Sequence, residues 1–219
     1  MQRTQRGFTL VEIAIVLVII GLLIGGVLKG QELIHSAKVK SLISELRATA
    51  TFVYAYQDRF RRLPGDDASA NTHVNGIVAA KPAGAVGNGR INGPWNSRDP
   101  AEESYLFWQH VRLANLTAGS TSAGNPDYAQ RNADGGMIGI TGDGVLANGS
   151  WPANFHVCTS GIQGRYARQI DATIDDGNTM SGAVRALGGP SGGEVSQSQT
   201  AYEVTMADDA TLYTVCMAN

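Results

Sequence analysis

The sequence predicts an α+β fold: a long N-terminal helix, half anchor and half amphipathic, packed on a small antiparallel sheet with extra helices and loops. Three observations carry that prediction. Residues 8–62 contain no proline, and the first one falls at Pro64. The stretch Phe8–Leu28 is apolar with one charge, Glu12. After Gly135, short apolar runs are divided by turn signals such as Gly142-Asp143-Gly144, the pattern of short strands.

The apolar stretch comes first. Its length, about 21 residues or roughly 32 Å of helix, suffices to cross a bilayer core. Arg3 and Arg6 precede it and place that end on the cytoplasmic side. Three readings compete. A secretory signal peptide has a shorter apolar centre and a small-x-small cleavage site, whereas this run continues as Val27-Leu28-Lys29-Gly30. A plain transmembrane anchor leaves Glu12 unexplained, because an ionised carboxylate in lipid costs several kcal/mol or is held neutral. The third reading is a short basic leader that is removed before Phe8 while the apolar segment stays.

The stretch Gly7-Phe8-Thr9-Leu10-Val11-Glu12 resembles the class III signal of type IV pilins and type II secretion pseudopilins. Gly precedes the scissile bond, Phe opens the mature chain and Glu is its fifth residue. The match is specific over the first tenth of the chain and looser beyond. The resemblance implies residues 1–7 as a prepilin leader, 8–29 as a transmembrane and filament-core helix, and 30–219 as a head that includes the amphipathic half of the helix. It implies cleavage between Gly7 and Phe8 by a membrane aspartyl peptidase, methylation of the new Phe8 amine, and pairing of Glu12 with the Phe8 amine of a neighbouring subunit. The physics agrees with the last role: a carboxylate at that depth needs a partner, and a neighbour's ammonium supplies one. A carboxyl near the membrane interface that titrates neutral is the alternative. The partners so implied are other copies or other pilins in a helical filament, the peptidase/methyltransferase, the inner membrane, and an assembly platform with its ATPase.

Composition sets bounds. Hydrophobic residues make up 43% of the 219 positions and 27 are glycine, against an average glycine share of about 7%, so a folded, turn-rich head is expected. The formal charge is −2, and becomes −4 if the leader with Arg3 and Arg6 is lost. No basic cluster marks a nucleic-acid patch. Cys158 and Cys216 both fall on the non-cytoplasmic side of the anchor, where disulfides persist. A bridge would close a loop of about 59 residues and contribute roughly 4 kcal/mol by chain entropy; two free buried thiols are the alternative. The family resemblance also points to a C-terminal staple.

In chain order, Val39, Leu42, Leu46, Ala50, Val53 and Phe60 form one helical stripe, suited to packing against a sheet. Gly21, Gly25, Gly26 and Gly30 either melt part of the anchor or admit close helix neighbours. Leu63-Pro64-Gly65 stops the helix. Residues 64–98 read as loop. Gly87-Asn88-Gly89-Arg90-Ile91-Asn92-Gly93 lacks dinucleotide-fingerprint spacing and reads as a turn. Asp99, Pro100 and Glu102 predict a capped helix running to about Leu116, with Tyr105, Trp108, Val111, Arg112 and Leu116 on a packing face. Strands are expected at Met137–Ile140, Val145–Leu146 and Phe155–Cys158. A third helix is expected from Ser160 to before Gly177, on the spacing of Ile162, Tyr166, Ile170 and Ile174. Residues 186–200 read as a mobile Gly/Ser loop. A hairpin of Tyr202–Met206 and Thr211–Met217 closes the domain.

Two patterns concern chemistry. Asp171, Asp175, Asp176 and Asn178 place hard oxygen ligands close together and could hold calcium, in the way pseudopilins use calcium on a C-terminal loop; a polar helix exit is the alternative. Gly189-Pro190-Ser191-Gly192-Gly193 matches the hydrolase elbow motif but has no strand before it, and the histidines lack metal spacing, so no catalytic site is expected. The function expected is a major or minor pilin of a type IV pilus-like filament. A pseudopilin of a secretion or DNA-uptake system is one alternative, and a periplasmic binding protein that is anchored but never polymerises is the other.

Overall fold

The computed structural model describes residues 9–125, 127–147, 149, 151–188 and 199–219. It divides into two compact units, Met1–Lys38 and Val39–Asn219. The longest element is helix α1, Leu10–Phe60, so the proline-free stretch is helical nearly throughout. Glycines 21, 25, 26 and 30 do not interrupt it, and the melted alternative is not seen in this chain. Arg61, just past the helix, has φ 56°, the left-handed conformation that commonly ends a helix.

Within the second unit, α1 buries one face. Val39, Leu42, Leu46, Ala50 and Val53 are buried as the stripe predicts, joined by Ile43, Thr49 and Tyr56; Phe60 is only partly covered. They share one core with Leu106, Phe107 and Val111 of α3 (Glu103–Leu113), Ile140 of β1 (Ile138–Thr141) and Val157 of β2 (His156–Gln163). The same core takes Ile170 of α4 (Gly164–Ile174), Val184 of β3 (Val184–Leu187) and Val215 of β4 (Leu212–Ala218). Each such side chain contributes roughly 1.5–3 kcal/mol when fully removed from water.

The four strands form one antiparallel sheet in the order β1-β2-β4-β3. In the β2–β4 pair Cys158 lies opposite Cys216, with Cα atoms 4.0 Å apart, and the two are joined by a disulfide. The bridge expected from the sequence is therefore present, across neighbouring central strands. The β2–β4 register slips between Thr159 and Ile162, where Gly161 takes φ 73°; glycine makes such a bulge cheap.

Several sequence expectations are corrected. α3 begins at Glu103, not at Asp99. Asp99 instead accepts the Ala101 N–H at 2.9 Å and pairs with Lys81 at 2.6 Å, so its carboxylate makes a turn before the helix. Val145–Leu146 is not a strand, although Leu146 bridges Gln199. β2 runs on to Gln163, taking Ser160 and Ile162 from the predicted third helix, which starts at Gly164. β3 occupies 184–187 at the edge of the predicted loop; residues 189–198, with the elbow-like motif, lie outside the described residues. The closing hairpin does not form: Met206–Asp208 is a 3₁₀ turn, and β4 pairs with β2 and β3. A four-residue helix α2, Ala70–His73, was not expected.

Buried polar groups tie the loops to the helices. Asp67 accepts from the Tyr56 hydroxyl at 2.8 Å and the Ser69 N–H at 2.9 Å, and its Oδ2 lies 2.7 Å from His73 Nδ1. His110 Nδ1 accepts the Gly65 N–H at 2.9 Å. Its Nε2 therefore carries the proton that reaches Ile77 O at 2.7 Å. The Gly87–Gly93 turn wraps the Asp66 carboxylate, which accepts the N–H groups of Gly87, Asn88, Gly89 and Arg90. A carboxylate of the chain itself thus fills the nest that a phosphate would need.

Beside that turn, Glu103 is fully buried. Oε2 accepts the Asn92 N–H at 2.7 Å, while Oε1 has no partner. Burial pushes its pKa up to about 7, the Asn92 N–H pulls the other way, and Asp66 and Asp143 add repulsion. The unfolded group titrates near 4.5. Between those values the folded state holds a proton that the unfolded state has released, so this residue's contribution falls as pH rises through 7. Glu103→Gln, which copies the protonated form, should be the more stable protein at pH 8. Its advantage over the wild type should be on the order of 2 kcal/mol larger at pH 8 than at pH 5. Urea denaturation at both pH values measures it, and an advantage that does not change with pH would contradict the assignment.

Candidate functional site: the apolar N-terminal helix and its single acid

Glu12 sits in the first turn of α1. Its Oε2 accepts the Thr9 backbone N–H at 2.8 Å and the Thr9 hydroxyl at 2.7 Å, and the Glu12 N–H reaches back to Thr9 Oγ1 at 3.3 Å. The pair is a reciprocal cap. It satisfies amide groups that the helix start leaves open, and it sets a negative charge at the positive end of the helix dipole. Thr9 was not singled out in the sequence, yet Thr-x-x-Glu before an apolar run is the signature of such a cap.

Beyond Glu12 the helix exposes apolar side chains on every side. The large apolar residues from Leu10 to Leu28 are between 45% and 88% exposed. The helix is long and apolar enough to cross a membrane, with mean hydropathy 2.9 in its most apolar 18-residue window and none of that window buried. A Cβ built on Gly21, Gly25, Gly26 or Gly30 meets nothing within 4 Å; these positions offer flat patches where another helix backbone could approach. Gly7 and Phe8, the expected cleavage and methylation positions, lie outside the described residues.

The acidic group expected at a helix exit is assembled in part. Asp171 lies on α4 and Asp175 just after it; one carboxylate oxygen from each of Asp171, Asp175 and Asp176 falls within 4.8 Å of the others. The Asn178 side-chain oxygen is occupied by the Met180 N–H at 3.1 Å. Burial raises the Asp171 pKa to about 6, with further repulsion from Asp175 and Asp176; the Gly177 N–H counters part of this.

Residues 2–28 match a family model described as the prokaryotic N-terminal methylation motif. This is the prepilin-type motif of type IV pilins and pseudopilins. No curated protein matches the chain. The motif covers residues 2–28 and supports a pilin- or pseudopilin-like assembly subunit.

Proposed function

We propose that the chain is a structural subunit, major or minor, of a type IV pilus-like filament, assembled through its N-terminal helix after cleavage between Gly7 and Phe8. One observation supports this above the others. The apolar segment Leu10–Leu28 of α1 includes an 18-residue window of mean hydropathy 2.9, none of it buried within the chain; it carries one acid, Glu12, at the end where processing would create an amine. Bundling copies covers the apolar surface. It also gives Glu12 a cation in place of the Thr9 cap. Before assembly the subunit is held in the inner membrane with its head in the periplasm; afterwards it belongs to a surface filament.

The test is to shear cells that express the chain and analyse the filament fraction. The subunit should be there, and mass spectrometry should find its N-terminus at a methylated Phe8. A chain that starts at Met1 and stays wholly in the membrane fraction would overturn the proposal and leave an anchored, non-polymerising protein.

A further inference from the structure

One cleft in the head is lined by polar side chains that the fold does not use. It has a volume of about 380 Å³ and lies between the end of α1, the Gly87–Gly93 turn and the residues just before β2. Small-ligand sites span roughly 300–1,000 Å³, so this one suits a short ligand. Tyr54 and Gln57 reach it from α1, three residues apart and therefore on one helix face. Arg90 reaches it from the turn, and Asn154 and Phe155 from the segment before β2.

Tyr54 is 53% exposed, and its ring leans on the buried Phe155, with centroids 5.7 Å apart and planes at 57°. An exposed ring braced from behind is a fixed apolar shelf, which loses little freedom on binding. Around it stand the Gln57 and Asn154 amides, the Arg90 guanidinium and the Tyr54 hydroxyl. Among the described residues, none of these polar ends bonds to another group of the chain. The backbone beneath them is tied down. The Arg90 N–H donates to Asp66 at 3.2 Å and to Asn88 Oδ1 at 2.8 Å, and the Asn154 N–H donates to Asn219 O at 2.9 Å. Gly142 makes room for the Arg90 stem, since a Cβ there would lie 2.7 Å from Arg90 Cγ.

These groups select a ligand class. Two amides and a phenol both donate and accept hydrogen bonds, as the hydroxyls of a sugar do. The C–H face of a pyranose is apolar and slightly positive at its hydrogens, a match for the negative face of an aromatic ring. The cleft lining has a guanidinium and no carboxylate, which favours an anionic group that a planar fork can grip. Nucleic acid fits less well. Single strands stack along grooves rich in positive charge, whereas this cleft has one cation in a chain of net charge −2. We propose that the cleft binds an acidic saccharide. One sugar ring lies on Tyr54, its carboxylate meets Arg90, and its hydroxyls meet Gln57 and Asn154. The binding does not depend on polymerisation.

The test uses the full, unpolymerised chain in a sugar-free detergent, so its failure would leave the filament reading standing. Calorimetric titration with tetragalacturonate should give a Kd of about 1 mM or tighter. A neutral galactose tetramer should bind at least about fivefold more weakly, for want of the charge-assisted contact. Tyr54→Ala should weaken binding of the acidic tetramer by more than about tenfold. Arg90→Gln should bring the acidic tetramer down to the level of the neutral one. Both side chains are exposed, so melting curves of the two variants should match the wild type. No binding of tetragalacturonate by the wild type up to about 10 mM, or binding unaltered in both variants, would overturn the proposal. So would a single-stranded oligonucleotide that binds the cleft more tightly than the acidic tetramer.

Discussion

Glu12→Val should abolish filaments while leaving the precursor processed. The expected loss in the sheared fraction is more than about tenfold, with N-terminal methylation unchanged. Polymerisation repeats one contact for every subunit, so even about 1.4 kcal/mol lost per contact is a factor of ten at each addition. The cap geometry supplies a control. Glu12 accepts two hydrogen bonds from Thr9, and Glu12→Gln can keep both through its amide oxygen but cannot pair with an ammonium. If the acid's role is confined to capping its own helix, Glu12→Gln should assemble normally, since losing such a cap altogether costs only about 1 kcal/mol. If the role is charge pairing between subunits, Glu12→Gln should fail as Glu12→Val does. Full assembly of Glu12→Gln would remove the pairing role.

Replacing both Cys158 and Cys216 by serine should cost about 3–4 kcal/mol of stability. The bridge joins residues 58 apart in sequence, and constraining the unfolded chain over that span is worth roughly 4 kcal/mol in the chain-entropy model. Both cysteines are completely buried, so the serine hydroxyls would add a desolvation cost. For a chain of this size, Tm should fall by about 10 °C. Thermal melts of the double variant, and of the wild type in dithiothreitol, measure the effect. A drop below about 2 °C in both would show that the sheet is held by its packing alone.

How much of this could be read from the sequence depends on how local the deciding interaction is. The stripe from Val39 to Val53 was legible because helical periodicity expresses burial directly. The disulfide pair was legible because both cysteines follow the apolar stretch, which as an anchor would put them on one side of a membrane. Asp99 misled because Asp-Pro-x-Glu fits both a helix cap and a preceding turn; the choice was made by Lys81, 18 residues away. Ile162 sat in register with Tyr166 and Ile170 but belongs to β2, whose bulge at Gly161 lets it face the core without helical spacing. β3 is four residues long and owes its conformation to β4, a partner that local pattern does not reveal. At the acidic cluster the residue types were visible in advance. The complete burial of Asp171 was not, since it depends on how α4 packs against the sheet.

The placement of β4 also bears on the order in which the head can be built. β3 pairs with β4 and not with β2, so during synthesis 184–187 has no neighbour to join when it first emerges. Only after 212–218 has followed can the last strand slot between the two waiting ones and bring Cys216 against Cys158. Until then, among the strands of the described residues, only β1 and β2 can pair, and the thiol of Cys158 has no partner cysteine beside it. Folding should therefore end in one late, concerted closure, with thiol oxidation as its timestamp.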